Sequence, residues 1–321
     1  MNILLAGLGG MATCHYKNYQ HIPEAHVTAA VGCTQRDHEI AQEWGVPLFP
    51  SVREACAHVP VDLVDLCTPT YLHKDMALEA FELGRHVITE KPIALSLADA
   101  REMYDAAEAH GVQLYVAHVV QFTREIEVLR QVVRDQRYGK PLDACFERLT
   151  ACPKWSHGSW LLDKAKSGLI PFDLHIHDLD VIVSLFGKPD KVQYTQCRGA
   201  NKDYSEQYRF TYRYQNGLNV SAEAAWFDAP VPFTARWRVY FERGMLVCDH
   251  NGVTGYAAEG SKEIFDVEEA VTVDCGINLG RSGWFLRELS HILAYARMGR
   301  PSPLVPKQQV LDVVEILEGL E

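Results

Sequence analysis

The sequence predicts an α/β protein of two domains: a doubly wound parallel sheet first, then an α+β domain built on a large, mostly antiparallel open sheet. Three observations carry that expectation. Up to about residue 118, short apolar runs alternate with helical patterns, as in a parallel sheet covered on both faces. Later come long runs rich in β-branched and aromatic residues joined by Gly and Asn turns, the pattern of antiparallel hairpins. At 321 residues the chain is also long enough for two cores.

The elements follow in order. Strands NILLA, HVTAAV, VDLVDLC, HVIT and VQLYVAH are separated by amphipathic stretches at Met11–Tyr19, Asp37–Trp44, Leu72–Leu83 and Leu97–His110. The last strand ends at His118, which divides the chain into expected domains 1–118 and 119–321. A helix is expected over Arg124–Asp135. After it come PLDACFERLTA, KVQYTQCRGA, EQYRFTYRY, LNVSAEAAWF, FTARWRVYFE and GMLVCDH, with a tight turn at Tyr214–Leu218. Two amphipathic segments, Trp284–Met298 and Gln308–Leu317, are expected to complete the second domain.

Composition narrows the function classes. The net charge, 31 basic minus 42 acidic residues, is -11, and no Lys/Arg run marks a nucleic-acid or membrane-surface partner. The nine cysteines are scattered without a CxxC pair and read as reduced thiols of a cytoplasmic protein. The opening MNILLAGLGG lacks the basic flank of a secretory signal, and no apolar run approaches a membrane span.

Two segments carry chemistry. Gly7-Leu8-Gly9-Gly10-Met11-Ala12 follows the first strand and opens a helix, which fits the G-x-G-x-x-G/A dinucleotide turn of a Rossmann domain. There the first glycine makes the turn, the second admits the pyrophosphate, and the small last residue lets helix and strand pack. After the second strand stands Val31-Gly-Cys-Thr-Gln-Arg36, with no acid before Asp37 to accept ribose hydroxyls. Thr34 and Arg36 suit a ribose phosphate, so NADP is expected in preference to NAD. The second segment is SGLIPFDLHIHDLD, where Asp173 and His177 stand four residues apart at a helix start. A carboxylate one turn before an imidazole can fix its tautomer and prepare it as a base. The stripe Asp173, His177, Asp180, Ser184 reads either as a polar wall facing a confined ligand or as ordinary surface.

Together GLGGMA, the run CTPTYLHKDMALEAFELGRHVITEKP, AHVVQF, and SGLIPFDLHIHDLD with its trailing LFGKPD resemble the glucose-fructose oxidoreductase and inositol dehydrogenase (Gfo/Idh/MocA) family. The resemblance implies that Thr68, Pro69, Thr70, His73 and Glu90 line the cofactor, and that Lys91 of EKP contacts both substrate and nicotinamide ribose. It implies a hydride exchanged between the nicotinamide and a secondary alcohol or ketone of a sugar, inositol or polyol. His177 is then the general acid/base, Asp173 its orienting group, and Lys91 the charge that stabilises the alkoxide. His118, Gln121, Trp155 and Trp160 are further candidates for substrate contact; the tryptophans serve sugar stacking or plain packing equally well. His175 stands where the family has glycine, either packing or shaping the pocket, and Leu169 replaces the second glycine of a pair. No metal is expected, since His175 and His177 diverge on a helix. A homodimer or homotetramer is implied. An imine or biliverdin-type reductase and a non-catalytic NADP(H) sensor stay open as alternatives.

Overall fold

The computed structural model describes residues 1–154, 156–276 and 280–320. The chain begins β1 (Asn2–Ala6), α1 (Gly10–Tyr19), β2 (His26–Val31), α2 (Gln35–Trp44), β3 (Leu48–Phe49), α3 (Val52–His58) and β4 (Leu63–Leu66). It continues with α4 (His73–Glu82), β5 (His86–Glu90), α5 (Leu97–Ala109) and β6 (Leu114–Ala117). These strands make one parallel sheet in the order β3-β2-β1-β4-β5-β6. Strand order reverses at β1, whose neighbours β2 and β4 feed helices on opposite faces. Such a switch point opens a crevice beyond the carboxyl ends of β1 and β4.

A second set follows: α6 (Arg124–Arg134), β7 (Pro141–Ala151), α7 (Lys164–Ser167), α8 (Ile176–Phe186), β8 (Lys191–Cys197), β9 (Gln207–Arg213) and β10 (Asn219–Phe227). Then come β11 (Thr234–Phe241), β12 (Gly244–Asp249), β13 (Gly252–Ala257) and β14 (Lys262–Phe265). Their order is β14-β13-β12-β11-β7-β10-β9-β8, antiparallel except for β7 beside β10. Strand β7 alternates buried Ala144, Phe146 and Arg148 with more exposed residues, so one face of this sheet is covered and the other is not. The strands β3, β13 and β14 escape a pattern reading: the first has two residues, and GVTGYA and KEIF lack a sustained apolar alternation.

The closing helices α9 (Trp284–Arg297) and α10 (Lys307–Glu318) correct an expectation. The chain divides into one unit of Met1–Val119 with Ala270–Glu318 and another of Val120–Glu269 with the last residues. Helix α9 therefore completes the first unit instead of the second. Its buried Phe285, Leu289, Ile292, Leu293 and Ala296 recur at helical spacing, and the last four join the core of Ile3, Leu5, Leu63 and Ile88. Helix α10 packs beside α5, with Lys307 Nζ 3.0 Å from Asp105 Oδ1. All nine cysteines are free thiols. Among the described residues no helix is long and apolar enough to cross a membrane.

Candidate active site

The turn after β1 has the geometry its glycines anticipate. Gly7 sits at φ 81°, and a Cβ there would lie 2.8 Å from Thr68 Cγ2 and 3.0 Å from the Cys67 carbonyl oxygen. No other residue fits without moving the loop that follows β4. Gly9 caps α1 with no side-chain bond to the first turn, and a Cβ on it would meet nothing within 4 Å. Gly9 and Gly10 are exposed, whereas Leu8 and Ala12 are buried, so these two reach a ligand only through backbone; Met11 is half-buried. An uncapped helix N-terminus under bare glycines is a fitting seat for a pyrophosphate.

At the end of β2, Asp37 Oδ2 accepts the Cys33 and Thr34 backbone N–H groups at 3.0 and 2.8 Å. Thr34 Oγ1 in return accepts the Asp37 N–H at 3.2 Å, a capping box for α2. The Asp37 carboxylate is thus folded into its own turn, leaving Thr34 and Arg36 on the surface.

Thr68 and Pro69 follow β4 half-buried, and Thr70 is buried. His73 does not line a cavity as expected. Its ring is 1% exposed and lies 2.9 Å from both the Thr68 and the Pro92 carbonyl oxygens, tying the loop after β4 to the loop after β5. Burial pushes its pKa down against the pull of those carbonyls. Glu90 is buried at the end of β5, and its Oε2 accepts the Lys91 backbone N–H at 3.2 Å. Lys91 is half-buried and precedes Pro92 through a cis peptide.

In the second unit, Ser167 Oγ donates to the Leu161 carbonyl at 2.7 Å and accepts the Leu169 N–H at 2.9 Å. Gly168 and Leu169 both have positive φ, 70° and 59°. A left-handed Leu costs about 1–2 kcal/mol, which gives the second glycine of the family's pair a physical reason. A single wide turn over Pro171–His175 then leads into α8. Leu169 to Val183 is buried throughout, with two exceptions: Asp173 and His177 alone remain partly accessible. Solvent or ligand reaches this segment through that pair.

The rest of the stripe turns inward. Asp180 Oδ2 accepts from Gln121 Nε2 at 2.6 Å, while Gln121 Oε1 accepts from Arg130 at 2.7 Å and from the Ser184 hydroxyl at 3.4 Å. Gln121, at 1% exposure, is committed to this network and has no surface for a substrate. Of the two readings of His175, the structure has the packing one. Its ring stacks on Phe210 of β9 with centroids 3.9 Å apart, and Nε2 meets the Tyr212 hydroxyl at 2.5 Å. Asp178 forms a buried bidentate pair with Arg148 of β7 at 3.1 and 2.8 Å. His175 and Asp178 therefore cannot join His177 on a metal ion. His118 is buried at the end of the first unit's sheet, Trp160 is half-buried in the short helical stretch His157–Leu162, and Trp155 lies outside the described residues.

Pattern reading missed a buried polar cluster in the first unit around His15, Asp65, Cys67 and Glu288. A signal was present: Asp65 interrupts an otherwise apolar run of a parallel strand, where a charge needs a partner.

Comparison with known proteins extends these observations. Residues 1–118 match a family model described as "Oxidoreductase family, NAD-binding Rossmann fold", and residues 126–247 match the GFO/IDH/MocA C-terminal domain. The 1,5-anhydro-D-fructose reductase of Ensifer adhaerens is 33% identical over 133 residues, 41% of this chain and 40% of the relative. The 2,7-anhydro-N-acetylneuraminate hydratase of Escherichia coli is 30% identical over 166 residues, 51% of this chain and 44% of its own. The chain thus spans less than half the length of these curated relatives. A levoglucosan dehydrogenase solved with NADH and levoglucosan shares the fold, with a TM-score of 0.85 at 19% identity over 99% of this chain and 95% of that one.

Proposed function

The chain belongs to the GFO/IDH/MocA oxidoreductase family, and we propose that it transfers a hydride between a nicotinamide dinucleotide and a secondary alcohol or ketone of a sugar, inositol or related polyol. The observation that carries the reading is the selective accessibility of Asp173 and His177 within a buried helix start. Removing hydride from a carbinol carbon requires its hydroxyl proton to leave in concert, and an imidazole held by a carboxylate takes it. His177 accepts that proton on oxidation and returns it on reduction. Asp173 orients the ring and stabilises its charged form. Lys91, at the carboxyl end of a parallel strand, supplies positive charge to the developing alkoxide oxygen.

The dinucleotide supplies the hydride acceptor when bound. Gly7, Gly9 and Gly10 with the N-terminus of α1 would hold its pyrophosphate, and the loop Thr68-Pro69-Thr70 with Glu90 and Lys91 would flank its nicotinamide half. Because Asp37 is spent on its own turn, Thr34 and Arg36 favour a ribose phosphate, and the reading is NADP over NAD. Replacing Arg36 by Ala is expected to raise the KM for NADP about tenfold and leave that for NAD nearly unchanged. Steady-state kcat/KM with both cofactors checks this, and a wild-type preference for NAD overturns it.

Relatives named for anhydro sugars, an anhydro sialic acid and myo-inositol favour a cyclic polyol substrate. The test is a panel of cyclic polyols, anhydro sugars and their keto forms assayed with both nicotinamides. Because two relatives are named hydratases, products are followed by mass as well as by cofactor absorbance, which separates net redox turnover from a reaction that regenerates its cofactor. Tight dinucleotide binding with no conversion across the panel would favour a sensor instead. A homodimer or homotetramer is expected in light scattering.

A further inference from the structure

Inside the first unit, ionisable side chains surround His15 of α1. Asp65 Oδ2 lies 2.8 Å from its Nδ1, and Glu90 Oε1 lies 3.2 Å from its Nε2, in ion-pair contact though off the line of a hydrogen bond. The Tyr19 hydroxyl donates to the same Asp65 oxygen at 2.7 Å. Cys67 Sγ lies 3.5 Å from Nδ1 and 3.6 Å from the other Asp65 oxygen. Glu288 of α9 faces this group fully buried, with neither carboxyl oxygen hydrogen-bonded among the described residues. Cys275, from the segment before α9, also feels the His15 charge.

The geometry has a restricted reading. An imidazole flanked by a carboxylate oxygen at each nitrogen suits both only when both nitrogens carry protons. A metal ion shared by His15, Asp65 and Cys67 fits less well. Ligand atoms about 2.0–2.1 Å from zinc at tetrahedral angles stand roughly 3.3 Å apart, whereas Nδ1 and Oδ2 are at 2.8 Å, the separation of a charge-assisted hydrogen bond. Burial opposes a charge on His15, but Asp65 and Cys67 outweigh it and hold the imidazolium well above the ordinary histidine range. Burial and the nearby Glu90 keep Glu288 protonated. One positive charge then stands against Asp65 and Glu90.

We propose that His15 is a positioning residue: set between Asp65 and Glu90 with a carboxylate oxygen at each ring nitrogen, it bridges the two, aims the Glu90 side chain, and through Glu90 Oε2 fixes the backbone at Lys91. This inference rests on the reading of Lys91 as a site residue. It explains why EKP carries an acid that is itself buried, and why a charge interrupts β4.

Charge separates this role from simple packing. His15→Gln leaves two buried carboxylates without a cation, whereas His15→Gln combined with Asp65→Asn removes one charge of each sign. The single variant is expected to lose up to about a hundredfold in kcat, as displaced groups near chemistry do, with the dinucleotide KM little changed. The double variant is expected to regain most of that loss and most of the lost stability. A packing role predicts no such recovery, since trimming a second buried polar group restores nothing that the first substitution removed. Nitrogen-15 NMR of the wild-type protein at about pH 8 provides the check that needs no variant: both His15 ring nitrogens should resonate as protonated. A neutral tautomer there, or additive losses in the double variant, overturns the proposal. If Lys91→Met retained full turnover, the functional reading would fail while the NMR result stood; an inactive Lys91→Met beside a neutral His15 would sink this inference alone.

Discussion

His15 and His175 are both fully buried, one in each unit, and their surroundings give them opposite charge states. Burial alone favours neutral imidazole in both. Around His15 the neighbours are carboxylates, and the ring is held charged. Around His175 they are the faces of Phe210 and Tyr212 with Arg148 nearby, and burial aided by that guanidinium pushes the pKa down to about 3. The contrast teaches that burial sets the stakes and the nearest charges decide the outcome. It also separates motif membership from role: His175 sits inside the catalytic-looking motif and packs, while His15 sits in α1 beyond the glycine motif that opens it and carries charge.

The largest expected effect tests the division between accessible and buried histidines. His177→Ala should lower kcat by about 10²–10⁴, the usual share of a general acid/base. His175→Phe, two residues away, should keep kcat and its pH profile, because a ring stacked on Phe210 is replaced by another ring. Initial rates on a turned-over polyol decide, and equal losses in the two variants would erase the distinction.

The next effect concerns stability. His175 has its folded pKa near 3 against 6.5 when unfolded, so below 6.5 the unfolded chain binds a proton that the folded one refuses. Its contribution is complete above 6.5 and is lost as pH falls, by roughly 3 kcal/mol between pH 6.5 and 4. His15 runs the other way: raised in the fold, its contribution is complete below 6.5 and is lost only as pH rises through the higher folded value. Urea midpoints should place His175→Phe about 1 kcal/mol below wild type at neutral pH, for the Tyr212 partner it loses, and above wild type near pH 4. A deficit independent of pH would break the comparison.

The smallest effect carries the same contrast to backbone. Gly7→Ala drives a methyl into Thr68 and the Cys67 carbonyl at positive φ, and should destabilise by about 1–2 kcal/mol. Gly9→Ala meets only open space, so its stability should stay within about 0.5 kcal/mol of wild type. Its dinucleotide KM should rise, because the methyl occupies the pyrophosphate approach. Thermal melts with and without cofactor separate the two.

Much of the fold was legible because its signals are local. The alternation of β1, β2, β4, β5 and β6 with helices, the glycine turn and the hairpin runs each depend on neighbours within a few residues. The same holds for the Asp173–His177 spacing. Helix α9 was assigned to the wrong unit because an amphipathic stripe states that a face is apolar and leaves its partner unnamed. Gln121 and His73 looked like ligand contacts because a polar side chain after a strand end invites that reading; their partners Asp180, Arg130 and the Thr68 and Pro92 carbonyls are distant in sequence or supplied by backbone.

By itself the sequence determined the two sheets, the dinucleotide turn with Gly7 at its bend, and the four-residue spacing of Asp173 and His177, since periodicity, turn chemistry and helical spacing are properties of adjacent residues. Only the tertiary structure decided which buried histidine is charged, where α9 belongs, and that Asp37, Asp178 and Asp180 are already committed to backbone N–H groups, Arg148 and Gln121. Ionisation and hydrogen-bond satisfaction depend on whatever lies within a few ångströms. For His15 that neighbour is Asp65, 50 residues away in the chain and brought alongside by the fold.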